Sequence, residues 1–384
     1  MRPKIIAAAG ATLFALSMFV DGACCPVWAD ENAGLIQPNA TRPFLAKAVA
    51  TFDTPWAIAF LPDDRLLITQ KGGQLFLVTQ QGEKRRVGGV PKVQYEGQNG
   101  LLDVAISPRF AADGLVYLTY MEPGPGGSSL ALALARLVES GAAASLADFT
   151  VIWRQMPKGG GGQPGGIVAF APDGRHLFLT TGDRMRKTPA QDPDQALGKV
   201  LRLNPDGTTP PDNPWAEQGG VRAQLWTLGH RNPYGLAFAP NGDLWLDEMG
   251  PRGGDELNLI RPGGNYGWPI VSNGDNYDGT PIPRHSTHPE FLPPVVYWNP
   301  VIAPAGLAFY TGDLFPQWRG SALIGGLAGM ALVRIVFDGH GGARQADRWD
   351  MDARIRDVAM AHDGAVWLIE DSQEGRLLRL TPKN

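Results

Sequence analysis

One local pattern constrains this chain more than any other: a tight turn bearing Asp or Asn, followed at once by a short aromatic–aliphatic strand. It occurs as Pro62-Asp63-Asp64-Arg65-Leu66-Leu67-Ile68, Ala112-Asp113-Gly114-Leu115-Val116-Tyr117-Leu118 and Pro172-Asp173-Gly174-Arg175-His176-Leu177-Phe178-Leu179. It returns as Pro240-Asn241-Gly242-Asp243-Leu244-Trp245-Leu246 and His362-Asp363-Gly364-Ala365-Val366-Trp367-Leu368, with a weaker copy from Phe315 to Ile324. Each turn permits a tight hairpin, and each strand offers one apolar face.

An apolar run precedes several of the turns, as in Trp56-Ala57-Ile58-Ala59-Phe60, Leu102-Asp103-Val104-Ala105-Ile106, Ile167-Val168-Ala169-Phe170 and Gly235-Leu236-Ala237-Phe238. The unit is therefore strand, turn, strand, repeated six times at spacings of about 40 to 80 residues, the size of a propeller blade. No amphipathic helix of more than about three turns interrupts it. With 49 glycines, 33 prolines and 11 tryptophans, the composition fits many turns between short aromatic strands. The expected fold is all-β, a six-bladed β-propeller, because radial stacking buries both faces of each small sheet and leaves only short edges. Residues 30–384 then form one domain, and segments 207–225 and 271–300, rich in Pro, Gly and Asn, are loop insertions at one face.

The N-terminus reads as a secretory leader over residues 1–29. Arg2 and Lys4 precede an apolar core from Ile5 to Val20, and Val27-Trp28-Ala29 forms a cleavage site before Asp30. Both cysteines, Cys24 and Cys25, fall inside that leader, so the mature chain carries no thiol chemistry. Export without disulfides points to a bacterial periplasm. No later stretch reaches the roughly twenty apolar residues of a membrane span. Charged residues are 19% of the chain, the net charge is −4 and no basic stripe occurs, which argues against nucleic acid as a partner.

Propellers gather function where blade loops converge on the central channel. Five polar stretches sit at strand ends: Glu96 to Asp103, Thr180 to Arg184, Leu228 to Leu236, Met249 to Glu256 and Ala353 to Val358. The fourth of these joins a Gly/Pro turn to two acids and closes on Gly263-Gly264-Asn265-Tyr266-Gly267-Trp268-Pro269. Carbonyl and carboxylate oxygens in a fixed turn suit a hard cation such as Ca²⁺, although a tight surface turn with solvated acids has the same sequence. Arg354 and Arg356 share one strand face, as an anion clamp or as a solvated edge pair. Arg231 and Asn232 offer planar donors to a carboxylate or quinone oxygen, or stabilise their own loop. His230 reads as a structural histidine, and the six histidines lack metal-type spacing.

The motifs, in this order, resemble the soluble pyrroloquinoline quinone (PQQ)-dependent sugar dehydrogenases of the glucose/sorbosone dehydrogenase family. The resemblance runs from Pro55-Trp56-Ala57-Ile58-Ala59-Phe60 to Arg376-Leu377-Leu378-Arg379-Leu380, and rests on His230-Arg231-Asn232-Pro233, Gly250-Pro251-Arg252-Gly253-Gly254-Asp255-Glu256 and Arg354-Ile355-Arg356-Asp357-Val358. It implies a six-bladed propeller that holds PQQ, an anionic tricarboxylate ortho-quinone, beside a Ca²⁺ ion. By the same resemblance Gln98, Arg231 and Asn232 match cofactor contacts, and Arg354 and Arg356 match a carboxylate clamp. Gly250 and Pro251 match the turn whose carbonyls bind the active-site Ca²⁺; Glu256 and the Tyr266 carbonyl match a second, structural Ca²⁺ site. Asp183 matches an acid that supports the catalytic base. The implied reaction oxidises an aldose C1 hydroxyl to the lactone and passes electrons onward to an acceptor, in a monomer or homodimer.

The family's base is a histidine in a His-x-Gly-Gly-Arg stretch. Alignment on Phe170-Ala171-Pro172-Asp173-Gly174 brings Gln163 to the histidine position and Ile167 to the arginine position. A glutamine amide orients a hydroxyl but does not accept its proton near neutral pH. Met249 stands where many members have histidine, and Ala328 where some have a cofactor-contacting lysine. Three readings stand: Asp183 is itself the base, His230 or an ordered water replaces it, or the chain binds PQQ or a sugar without turnover. A Ca²⁺-dependent sugar-lactone hydrolase on a similar propeller is a further alternative. The leader yields a direct prediction: mature protein begins near Asp30 in the periplasm. N-terminal sequencing that finds Met1 on cytoplasmic protein would overturn it.

Overall fold

A computed structural model describes residues 31–383, and the expected leader with its cleavage site lies outside the described residues. The chain is mostly β-strand, and each predicted turn joins two antiparallel strands. Pro55–Phe60 pairs with Leu66–Gln70, Leu101–Ile106 with Leu115–Gly124 and Gly165–Phe170 with Leu177–Thr181. Pro233–Phe238 pairs with Leu244–Glu248, Pro304–Phe309 with Ala322–Gly326 and Ile355–Met360 with Val366–Glu370. The recurring Asp or Asn has a common physical cause. The side-chain Oδ1 of Asp63, Asp113, Asp173, Asn241 and Asp363 accepts the backbone N–H two residues on, at 2.9–3.2 Å. This Asx turn fixes the reversal locally. The weaker copy solves the problem differently, with a 3₁₀ turn over Pro316–Trp318 and the Tyr310 hydroxyl accepting from Phe315 N–H at 3.0 Å.

The first strand of each pair packs against the first strand of the next, and Ile355–Met360 packs back against Pro55–Phe60. These six strands ring an axial cavity of about 160 Å³. Third and fourth strands extend each pair outward into a four-stranded unit. Two of those units, within residues 55–88 and 101–154, join along their outer strands through Ala144 opposite Val87. The last sheet is completed from the opposite end of the chain: Phe44–Phe52 pairs with Gly375–Pro382. The core lies between successive sheets; Trp245, Leu257 and Val296 of one, for example, pack with Ile324, Val333 and Ile335 of the next. Segment 207–225 carries 3₁₀ turns up to the strand Leu225–Leu228, and segment 271–300 carries one 3₁₀ turn and the short Gly274–Asp275 strand. The second segment is not wholly a loop insertion, because it ends in Val296–Trp298, the strand that pairs with Asp255–Leu259 and extends its sheet. Among the described residues no helix is long and apolar enough to cross a membrane.

Every inner strand is bulged near its start, so its pairing register slips there. A bulge strands backbone N–H and C=O groups inside the ring, where leaving them unpaired is costly. Three threonines meet that demand and tie each unit to its neighbour. Thr69 Oγ1 accepts from Ala57 N–H at 3.0 Å and donates to the Leu102 carbonyl at 2.7 Å. Thr119 accepts from Asp103 N–H and donates to the Gly166 carbonyl at 2.6 Å. Thr180 accepts from Gly166 and Ile167 N–H and donates to the Pro233 carbonyl at 3.3 Å. Replacing Thr180 by Val should therefore destabilise the protein by about 1–3 kcal/mol, the cost of leaving buried polar groups unpaired. Thr180→Ser, which keeps the hydroxyl, should retain most of the stability. Urea unfolding checks this, and equal losses in the two variants would count against the hydrogen-bond account.

Candidate active site

All the site residues expected from sequence at the strand ends lie at one end of the ring, where inner strands begin and second strands finish. Gln163 precedes Gly165–Phe170, Arg231 and Asn232 precede Pro233–Phe238, and Asp183 follows Leu177–Thr181. A cavity of about 180 Å³ is lined by Gln163, Asp183, Arg231, Pro251, Trp268 and Tyr277, among others.

Asp183 is fully buried, and its Oδ2 accepts from the Trp268 indole at 2.8 Å while Oδ1 accepts from Met185 N–H at 2.8 Å. Burial raises its pKa; the Trp268 bond and the nearby Arg231 charge oppose that rise. The Gln163 amide lies between acid and guanidinium. With its nitrogen facing Asp183 and its oxygen facing Arg231, it donates to Asp183 Oδ1 at 2.5 Å and accepts from Arg231 Nη2 at 2.7 Å. Gln163, Arg184, Met185 and Lys187 all have positive φ between 52° and 59°, a conformation that costs a side-chain-bearing residue free energy and that clusters at functional sites. Arg184 helps hold this arrangement. It is 2% exposed, donates to Asn99 Oδ1 at 2.7 Å and reaches the Gly159 and Gly162 carbonyls, and burial draws its pKa down to about 10.

Arg231 is held from several sides. Its backbone N–H donates to Glu248 Oε2 at 2.6 Å, and its Nη1 donates to the Met249 and Gly250 carbonyls at 3.0 and 2.6 Å. Its guanidinium lies over the Trp268 and Tyr277 rings. Asn232 is fully buried and spends its amide on Gly165 N–H and the Met249 sulfur, so it positions the Gln163 loop. His230 is also fully buried. One ring nitrogen meets Glu248 Oε1 at 2.7 Å, the other Thr227 Oγ1 at 2.9 Å, and the ring stacks on Tyr266. With both nitrogens engaged, His230 is structural and offers no base to the cavity.

Arg354 and Arg356 do converge, but on a protein carboxylate: both donate to Asp371, at 2.9 and 3.0 Å. Arg356 is buried between the Trp56 and Tyr234 rings and its Nε has no partner. Lys71, which the sequence reading did not single out, belongs to the same group. Burial lowers its pKa and the positive charges of Arg356 and Arg354 lower it further, with Asp371 opposing. Three cations thus stand near one carboxylate at the mouth of the axial cavity, two of them paired with it and Lys71 donating to the Gly97 carbonyl at 2.7 Å. Lys71 follows the second strand of its unit, as Gly250 and Asp183 follow theirs, and that repeat position is the signal that could have found it. Gln98 lines a neighbouring Gly-rich cavity and its Oε1 accepts from Gln163 N–H at 2.6 Å.

The oxygens expected to meet a cation are partly engaged. The Gly250 carbonyl accepts from Arg231, and the Tyr266 carbonyl meets the His285 ring nitrogen at 3.2 Å. Glu256 is buried beside Glu248; burial first and the Glu248 charge second raise its pKa well above the carboxylate range. Asn258 donates to both acids, and its own Oδ1 has no partner. Among the described residues no three His, Cys, Asp or Glu side chains are grouped as a metal site.

Comparison with known proteins places the chain in a family. Residues 52–379 match the Glucose / Sorbosone dehydrogenase family. The chain is 40% identical over 345 residues to the aldose sugar dehydrogenase YliI of Escherichia coli K12, covering 86% of this chain and 91% of that protein. It is 28% identical over 457 residues to quinoprotein glucose dehydrogenase B of Acinetobacter calcoaceticus, covering 97% and 93%. The apo-form crystal structure of the soluble E. coli aldose sugar dehydrogenase superposes with a TM-score of 0.82 at 38% identity, covering 88% of this chain and all of that one. The PQQ-bound aldose sugar dehydrogenase from Streptomyces coelicolor superposes with a TM-score of 0.72 at 29% identity, covering 90% of this chain and all of that one. The chain is a member of the glucose/sorbosone dehydrogenase family.

Proposed function

We propose that this protein is a six-bladed β-propeller that binds PQQ and oxidises an aldose at C1 to the lactone, after export to the periplasm. The observation that carries the reading is the excess of positive charge at the channel mouth: Lys71, Arg354 and Arg356 against the single carboxylate of Asp371, with Arg356 Nε unpaired. A cation cluster of this kind, anchored on the buried Arg356, favours an anionic ligand, and a planar tricarboxylate fits it. The closed ring of six inner strands supports the six-bladed architecture.

Lys71, Arg354 and Arg356 would neutralise the cofactor's carboxylates, with Gln98 and Arg231 at its quinone end. When bound, PQQ supplies an electrophilic quinone that takes the hydride from the sugar carbon. The chain's own residues handle the proton. Asp183, made more basic by burial, accepts it from the C1 hydroxyl, and Gln163 orients that hydroxyl between acid and guanidinium. For Ca²⁺ the two expected sites differ. At Gly250 the carbonyl is held by Arg231, so that donor set does not fit a divalent cation as it stands, and no step is assigned to one. At Glu256 the paired acids and the orphaned Asn258 Oδ1 fit a cation that would offset buried negative charge.

A PQQ titration followed by absorbance, with turnover measured on a panel of aldoses and an artificial electron acceptor, tests the proposal. Arg356→Ala should weaken PQQ binding by a few kcal/mol, about the loss expected for a charged, partly buried hydrogen bond. Asp183→Asn should abolish turnover. Gln163→His, alone or with Ile167→Arg, should raise it, since a well-matched general base contributes about 10²–10⁴-fold. Absence of PQQ binding by the parent, with lactone hydrolysis in its place, would replace this reading by the lactonase one. PQQ binding without oxidation of any aldose would make the protein a cofactor-binding propeller.

A further inference from the structure

Lys199 is the one lysine in the described core that is fully buried, and the proposed chemistry does not use it. It opens the strand Lys199–Leu203, and its Nζ donates to three main-chain carbonyls: Pro189 at 2.8 Å, Ala190 at 3.0 Å and Leu197 at 2.6 Å. No carboxylate forms an ion pair with it among the described residues, and a buried ammonium without a partner ion is expensive. Burial draws its pKa down to about 7, with the Asp192 charge opposing, while three carbonyl acceptors favour the charged form. Such a cage of converging carbonyls is the donor arrangement that elsewhere holds a hard cation.

The caged segment leads directly to Asp183. Ala190, one of the three carbonyl donors, is fully buried and packs with Trp268 and Ile282 in a small apolar cluster. Its carbonyl also accepts from Gly229 N–H, and the Gly229 carbonyl accepts from Trp268 N–H, each at 3.0 Å. The next residue, Gln191, donates to the Trp268 carbonyl at 2.7 Å and exchanges two amide hydrogen bonds with Asn265. Trp268 in turn places its indole N–H on Asp183 Oδ2. Removing the ammonium would leave three carbonyls facing one another in a dry site, and the turn over Thr188–Gln191 would have to open to hydrate them.

We propose that Lys199 is a positioning residue for Asp183: its ammonium is an internal cation, standing where a bound metal ion would otherwise be needed, that locks the 188–197 segment and so aims the Trp268 indole at the acid. The effect on turnover rests on the function proposed above; the structural link does not.

The test reads the indole N–H resonance of Trp268 in protein labelled with ¹⁵N-tryptophan, without cofactor or sugar, the signal being assigned with Trp268→Phe. Lys199→Ala should displace that resonance, and n-propylammonium, which restores the deleted chain and its charge, should return it where an equal concentration of sodium chloride does not. With PQQ and an aldose present, turnover of Lys199→Ala should fall by about 10²-fold, the scale of a misplaced catalytic group, and recover with propylammonium. An unchanged Trp268 resonance in Lys199→Ala would overturn the proposal, and so would a displaced one that propylammonium does not restore. If Lys199→Ala fails to fold both with and without propylammonium, Lys199→Met decides, since it keeps the side-chain volume and removes only the ammonium from the cage: a displaced Trp268 resonance supports the proposal and an unmoved one ends it. A protein that passes the resonance test but oxidises no sugar would sink the dehydrogenase reading alone.

Discussion

Closing six bulged strands into a ring sets the problem that the rest of this molecule answers. Each bulge turns main-chain polar groups toward the axis of the ring, and each such group needs a partner. The threonine hydroxyls at 69, 119 and 180 supply an acceptor and a donor at once, so one small side chain both caps its own strand and holds the next. Aspartates extend the same device. Asp103 accepts from its neighbour Val104 and from Val168 of the following unit; Asp357 accepts from Val358 and, across the point of ring closure, from Ile58. Asp255 reaches Gly250, Ile302 and Ala303. Rigidity at the channel mouth follows, because the loops bearing Gln163, Arg231 and Gly250 emerge from strands pinned in this way.

Buried charge is the second consequence. Asp103 and Asp357 face the same cavity; burial lifts Asp103 to about 6, and burial together with the field of Asp103 lifts Asp357 to about 8. The opposite sign collects at the mouth in Lys71, Arg354 and Arg356. Arg184 and Lys199 are each satisfied by neutral oxygens. The proposed binding of an anion and transfer of a proton would be served by that separation of signs.

What the sequence disclosed follows from how local each signal is. The Asx turns are contained within three residues, so Asp63, Asp113, Asp173, Asn241 and Asp363 announced the hairpins directly. Gln163, Asp183 and Arg231 were singled out separately, yet nothing in their spacing fixes that an amide bridges acid and guanidinium; only the ring brings them together. The Arg354–Arg356 spacing correctly put two guanidiniums within reach of one partner and could not reveal that Asp371 is there already. Lys71 and Lys199 were silent, and Trp268 stood only as part of the Gly263 to Pro269 stretch, for a related reason. Their roles depend on carbonyls and charges contributed by distant segments, and a main-chain carbonyl leaves no trace in an amino-acid alphabet.

Asp247 carries the ring argument to its limit. It occupies, on the second strand of its unit, the place that Thr69, Thr119 and Thr180 take in theirs, opposite the bulge at Gly235. A Cβ on Gly235 would collide with the Asp247 carboxyl, so the glycine is what lets the larger side chain turn inward. Both carboxyl oxygens are buried without a donor, and burial together with the charges of Asp255, Glu248 and Asp357 raises the pKa well above the ordinary value. As a carboxylate, Asp247 would be an acceptor with nothing to accept; as the neutral acid it has an O–H to give, as the threonines do. The position that holds a hydroxyl in three units holds in the fourth a carboxyl without a donor, and burial with the surrounding negative charge favours its neutral form.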